Sequence, residues 1–181
     1  DVPFGPNPSG DRGWIYSTWD KLRKLNYVDE ENRDPTPDER NAAWAAERID
    51  ALSRDAEKPL FHAVGFIRPH TPLHVPKRFF DMFPLESVEL PTIKPLDADD
   101  CHYLDVFDED KKGPKYFRLL KQSYPTLDEG LREYVQAYLA CVAAVDERVG
   151  RVVEAVDRCP AAGNTVILLC SDHGYNMGEK E

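Results

Sequence analysis

The sequence predicts an α/β fold, part of a mainly parallel sheet flanked by helices and incomplete within this chain. Three observations carry that expectation. Leu60–Ile67 and Asn164–Cys170 are short, mostly apolar runs, as strands buried between helical layers are. Between them lies a long apolar stripe at helical spacing. Strand, crossover containing a helix, strand is the order of a parallel βα unit. At 181 residues the chain suits one domain, residues 1–181.

The elements follow in order. Residues 1–36 form a loop-rich N-terminal segment with Gly5, Pro6, Pro8, Gly10 and Gly13, followed by a mixed stretch from Trp14 to Tyr27. Thr36-Pro37-Asp38-Glu39 marks a helix start. Thr is a capping residue, Pro suits the first helical position, and Glu three residues after Thr completes a capping box, so a helix is expected over 37–53. Pro59 introduces the first strand, which gives way at Arg68-Pro69-His70-Thr71-Pro72 because proline donates no ladder hydrogen bond. A short helix is expected over 77–83. Residues 84–125, rich in Pro, Asp and Lys, read as a long surface excursion, either a functional lid or a poorly ordered stretch. Leu131, Val135, Tyr138, Val142, Val145, Val149, Val152 and Val156 then recur at spacings of four and three, the stripe of a helix that Arg158 and Pro160 close. Two strands alone leave sheet edges unpaired, so extra short strands or association through those edges is expected.

Charge excludes some partners. Lys and Arg number 23 against 33 Asp and Glu, a formal charge of -10 that repels nucleic acid and acidic membrane surfaces. Cys101, Cys141, Cys159 and Cys170 lack the close pairing of a zinc or redox centre. No apolar run reaches the roughly 18 residues of a membrane span, and the start at Asp1 lacks the order of a signal peptide. The chain does not begin with Met, so an upstream segment is expected. Phosphate-loop, dinucleotide and serine-elbow motifs are absent.

Candidate chemistry collects at the two predicted strand ends, where α/β sheets bind ligands. Arg68 and His70 follow the first, and Asp172 and His173 follow the second. A carboxylate and an imidazole side by side can reach one cation, although Asp172 as a helix cap beside a surface His173 is the plainer alternative. His70, held between two prolines with Arg68 nearby, can neutralise an oxyanion or donate a proton to a leaving group, although a plain loop residue is the commoner reading of such a histidine. His62 reads as a satisfied core histidine, His74 and Lys77 as pocket-rim or solvated loop residues, and His102 receives no role.

"PLFHAVGFIRPHTPLHVPKRFFDMFP" from Pro59 to Pro84, "YLACVAAVDERVGRVVEAVD" on the predicted helix and "NTVILLCSDHGYNMGEKE" from Asn164 to Glu181 closely resemble the sulfatase family of the alkaline phosphatase superfamily, nearest its iduronate 2-sulfatase-like branch. The likeness covers about residues 37–181. It implies a partial sulfatase catalytic domain in which Asp172 is a calcium ligand, His173 lies at the metal, and His70 faces the sulfate. Lys180 follows the family's "GE" without a transferable role. Calcium prefers oxygen donors, so an Asp-His pair suits manganese or zinc as well by ligand type. The family's nucleophile, a formylglycine made in a C/S-x-P/A-x-R motif, has no counterpart here, nor do its paired N-terminal aspartates. A further lysine of the branch would lie beyond Glu181. The resemblance therefore implies an internal fragment, inactive alone, of an enzyme hydrolysing sulfate esters of small molecules or sugars, with an extracytoplasmic location suggested by the family. A phosphodiesterase or phosphonate hydrolase of the same superfamily and a non-catalytic remnant remain alternatives.

Overall fold

The computed structural model describes residues 30–31, 33, 35–52, 59–102 and 112–179. Within them lie α1 (Pro37–Leu52), α2 (Lys77–Asp81), α3 (Lys112–Ser123) and α4 (Leu127–Arg158), with 3-10 turns at Leu85–Ser87 and Ala162–Asn164. Most of the expected N-terminal loop segment, Ser53 and Lys180 fall outside the described residues.

Both long helices begin on local side-chain caps. At α1 the Thr36 hydroxyl accepts the Glu39 N–H at 3.2 Å while the Glu39 carboxylate accepts the Thr36 N–H at 2.6 Å, the reciprocal box that the sequence predicts. At α4 the Thr126 hydroxyl accepts the Glu129 N–H at 3.2 Å, so the helix starts ahead of the apolar stripe first read at Leu131. The stretch read as a surface excursion holds the first 3-10 turn and all of α3, and buries Val88, Ala98 and Leu120.

α4 is the spine, and α1, α2 and α3 all pack against it. Its buried face follows the predicted stripe only in part. Leu131 and Val135 of the stripe are buried, and Tyr138, Val152 and Val156 pack partly buried on the cores, but Gly130, Tyr134, Ala137, Cys141, Ala144 and Arg148 off the stripe are covered too, whereas Val142 is exposed. Small side chains decide this. Ala42, Ala45 and Ala46 of α1 and Ala137, Ala140 and Ala144 of α4 are all buried, a composition that lets helices approach closely. The main core joins Leu73, Val75, Phe79 and Phe80 to Leu120, Leu131, Tyr134 and Cys141, with Ile93 and Met177 packed against it. Gly130 is required where α3 turns into α4, because a Cβ there would meet the Tyr124 ring at 2.8 Å.

The predicted parallel sheet is absent among the described residues. Neither Leu60–Ile67 nor the run ending at Cys170 joins a ladder, and no strand is present there. A strand is stable only when a second one satisfies its N–H and C=O groups, and no described segment does so. Residues of the first run bond to helix side chains instead: Asn41 donates to the Gly65 carbonyl at 2.9 Å, and Asp38 accepts the Ile67 N–H at 2.8 Å. Apolar surface is left uncovered, with Phe61 93%, Val166 95% and Leu168 85% exposed. The expected association through unpaired sheet edges is corrected accordingly, since these exposed runs are not sheet edges.

Candidate functional site

The Arg68–Pro76 turn is built by contacts from two sides. Asp38, 5% exposed in the first turn of α1, accepts the N–H of Ile67 at 2.8 Å and of Arg68 at 3.1 Å. Ile67 in turn accepts the His70 N–H at 2.9 Å, closing the loop on itself. Arg68 sends its side chain forward, with Nε donating to the His74 carbonyl at 3.1 Å and Nη1 to the His70 carbonyl at 3.0 Å. The residue read as substrate-binding thus spends two donors on bracing the turn. The Arg68-Pro69 and Thr71-Pro72 peptide bonds are cis.

His70 itself is exposed, and its Nδ1 lies against the Thr71 carbonyl. A carbonyl oxygen only accepts, so Nδ1 carries the proton and Nε2 is the nitrogen presented outward. His74, by contrast, is buried. Burial, helped by the Arg68 charge, pushes its pKa down to about 3, so the ring is neutral at physiological pH. A cavity of about 20 Å³, close to the space of one water, lies among Asp38, Arg68, His74, Ala144 and Arg148. Lys77 pairs with Asp81 along α2. His62 rests against Trp44 at 5.2 Å between ring centroids, and among the described residues its buried Nε2 has no hydrogen-bond partner, where a satisfied core histidine is expected.

A charge network beside this turn ties the helices together. Glu39 accepts both Arg33 Nη atoms at 2.7 and 2.8 Å and Arg148 Nη2 at 2.8 Å, tying α1 to α4. Burial acts to raise the Glu39 pKa, but the Arg33 hydrogen bonds, the Thr36 N–H and the Arg148 charge outweigh it and hold the carboxyl at about 2. Arg148 also reaches Glu147 at 2.5 Å, which accepts Arg78 Nη1 of α2 at 2.6 Å.

The second group, Asp172 and His173, stands in solvent. Their side chains are 86% and 70% exposed, and His173 Nε2 lies 3.5 Å from Asp172 Oδ2. His173 Nδ1 donates to the Gly174 carbonyl at 2.8 Å, so this imidazole too presents Nε2. The Asp172 carboxylate accepts the His173 N–H at 3.0 Å, and Ser171 Oγ donates to the His173 carbonyl at 2.8 Å. Anchoring comes from further along. Tyr134 of α4 shares a 2.6 Å hydroxyl hydrogen bond with Tyr175, Met177 packs on the core, and Gly178 adopts φ 108° where a Cβ would meet Ile93 at 3.0 Å.

Among the described residues no hydrogen bond or ion pair joins Arg68 or His70 to Asp172 or His173. Nor does any group of three His, Cys, Asp or Glu among them suit a metal. Asp172 and His173 offer one oxygen and one nitrogen donor, and calcium takes about six to eight oxygens, so the residues present do not by themselves fit the ion. Asp38 escaped the sequence reading altogether. An acidic residue in a first helical turn is expected for the helix dipole alone, and its partners lie 29 and 30 residues away.

Comparison with known proteins places these features in a family. Residues 11–181 match the family described as Sulfatase. A sulfatase of Formosa agariphila is 35% identical over 98% of this chain and 35% of its own length. Human iduronate 2-sulfatase is 30% identical over 79% of this chain and 26% of its own, and an arylsulfatase of Clostridium perfringens is 35% identical over 83% and 28%. The chain thus spans between about a quarter and about a third of the length of these relatives. No solved structure gives a significant match. With a family match that takes in both the Arg68–His70 turn and the Asp172–His173 pair, the chain belongs to the sulfatase family.

Proposed function

We propose that the whole protein hydrolyses sulfate esters, sulfated carbohydrates foremost, and that this chain supplies His70 to the sulfate pocket and Asp172 with His173 to a metal site. The observation that carries the reading is the shared setting of the two histidines within a sulfatase sequence. Each donates Nδ1–H to a backbone carbonyl and presents Nε2. As an oxygen nucleophile from outside these residues bonds to sulfur and the sulfur–oxygen ester bond breaks, an Nε2–H of His70 would donate its proton to the ester oxygen, and the proton would leave with the alcohol. Arg68 keeps the turn in shape and adds positive charge near the sulfate. Asp172 and His173 would be this chain's share of a metal shell that further ligands complete; calcium is the family's ion and the imidazole donor suits manganese or zinc, and such a cation would supply positive charge toward the sulfate. The formylglycine of the family would come from outside these residues.

Assay of the whole protein on an aryl sulfate and an aryl phosphodiester tests this. The sulfate is expected to be the preferred substrate, and His70→Ala is expected to lower kcat by about 100- to 10,000-fold. Preferred turnover of the diester would replace this reading with phosphoester hydrolysis, which the nitrogen donor of His173 also suits.

A further inference from the structure

We propose that Asp38 is a positioning residue for His70, acting through the backbone of Ile67 and Arg68; the inference rests on the role given to His70 above. The Asp38 carboxylate is buried and holds two consecutive amide N–H groups, at 2.8 and 3.1 Å. The same Ile67 residue accepts the His70 N–H, and the same Arg68 residue reaches the His70 carbonyl. Both backbone groups of His70 are therefore bonded to residues that Asp38 holds. Among the described residues no ladder supports Ile67 and Arg68, and there the carboxylate is what holds the point from which the His70 turn departs.

Asp38 is not spent on its own helix. Thr36 and Glu39 already cap α1, and Glu39 ties it to Arg148 of α4. Asn41, one turn along, holds the Gly65 carbonyl, so one face of α1 grips the segment at two points. A carboxylate suits the task because both oxygens accept. Asparagine keeps one accepting oxygen and turns an NH2 toward the other N–H, and alanine keeps none. Misplacement of a reacting group by about 1 Å costs on the order of 100-fold in rate.

The test uses the whole protein and reads both kinetics and the His70 tautomer by imidazole 15N NMR. Asp38→Ala is expected to lower kcat by about 100-fold with a smaller change in KM, and to mix the single Nδ1–H tautomer of His70. Asp38→Asn, which keeps one acceptor and serves if the alanine variant does not fold, is expected to lose roughly tenfold. Glu39→Gln, one residue away, is expected to lower thermal stability while leaving the tautomer and kcat in place. A folded Asp38 variant with an unchanged His70 tautomer and unchanged kcat would overturn the inference. A mixed tautomer with unchanged kcat would uphold the positioning of the ring and overturn instead the catalytic role of His70.

Discussion

The Arg68–His70 turn and the Ser171–Gly174 segment present histidines in the same way and are held in opposite ways. The first is gripped by Asp38 across 29 and 30 residues of chain and continues into the buried Leu73–Pro76 stretch. In the second, every hydrogen bond joins residues at most two apart, and both site side chains stand in solvent. Local bonds choose a ring's tautomer, but only distant ones fix where the ring stands in the molecule. His70 is therefore preorganised by this chain, whereas Asp172 and His173 have their orientation set locally and their nearest firm anchors at Tyr175 and Met177.

Amide hydrogen exchange gives the largest expected contrast. The Ile67 and Arg68 amides should exchange at least about 100-fold more slowly than those of Asp172–Gly174, because opening them requires separating the segment from α1. Equal rates in the two regions would break the comparison. Leu131, 1% exposed and in contact range of Gly178, supports the core and the tail anchor together. Leu131→Ala should cost about 2–5 kcal/mol in urea unfolding and speed exchange at 175–178.

Acid should act on the braced region. The Glu39 pKa is held at about 2 against an ordinary 4.5, so its stabilisation is present above pH 4.5 and is lost as pH falls toward 2. His74, held at about 3 against an ordinary 6.5, refuses a proton that the unfolded chain accepts, so stability also falls as pH drops from 6.5 toward 3. Circular dichroism over that range should show a falling melting temperature, and His74→Gln should flatten the upper part of the curve. The smallest effect is expected from Tyr134→Phe, which removes one hydroxyl hydrogen bond and should cost about 1 kcal/mol while leaving Ile67 and Arg68 exchange unchanged.

Legibility in the sequence followed the range of each interaction. The α1 start was readable because Thr36 and Glu39 bond to each other across three residues. The two expected strands were not borne out, because an apolar run such as Val166–Leu169 records hydrophobicity and not the presence of a pairing partner. The buried face of α4 was legible only in part for a related reason: Leu131 and Val135 of the stripe are buried, but Val142 is exposed. Valines are the more hydrophobic residues, but Ala137, Cys141 and Ala144 are the ones small enough to lie in the core with Phe79 and Phe80 of α2. Asp38 had no local signal, since its partners are backbone groups whose identity leaves no mark on the sequence.

The sequence by itself determined the start of α1, the family and the two motifs that carry the candidate chemistry, because capping and motif spacing act within a few residues. Tertiary structure alone decided which face of α4 is buried, that Arg68 braces its own turn, and that Asp38 rather than a sheet holds His70 in place. Those outcomes depend on size and on unsatisfied hydrogen-bonding groups meeting across the chain, and neither property has a period along it.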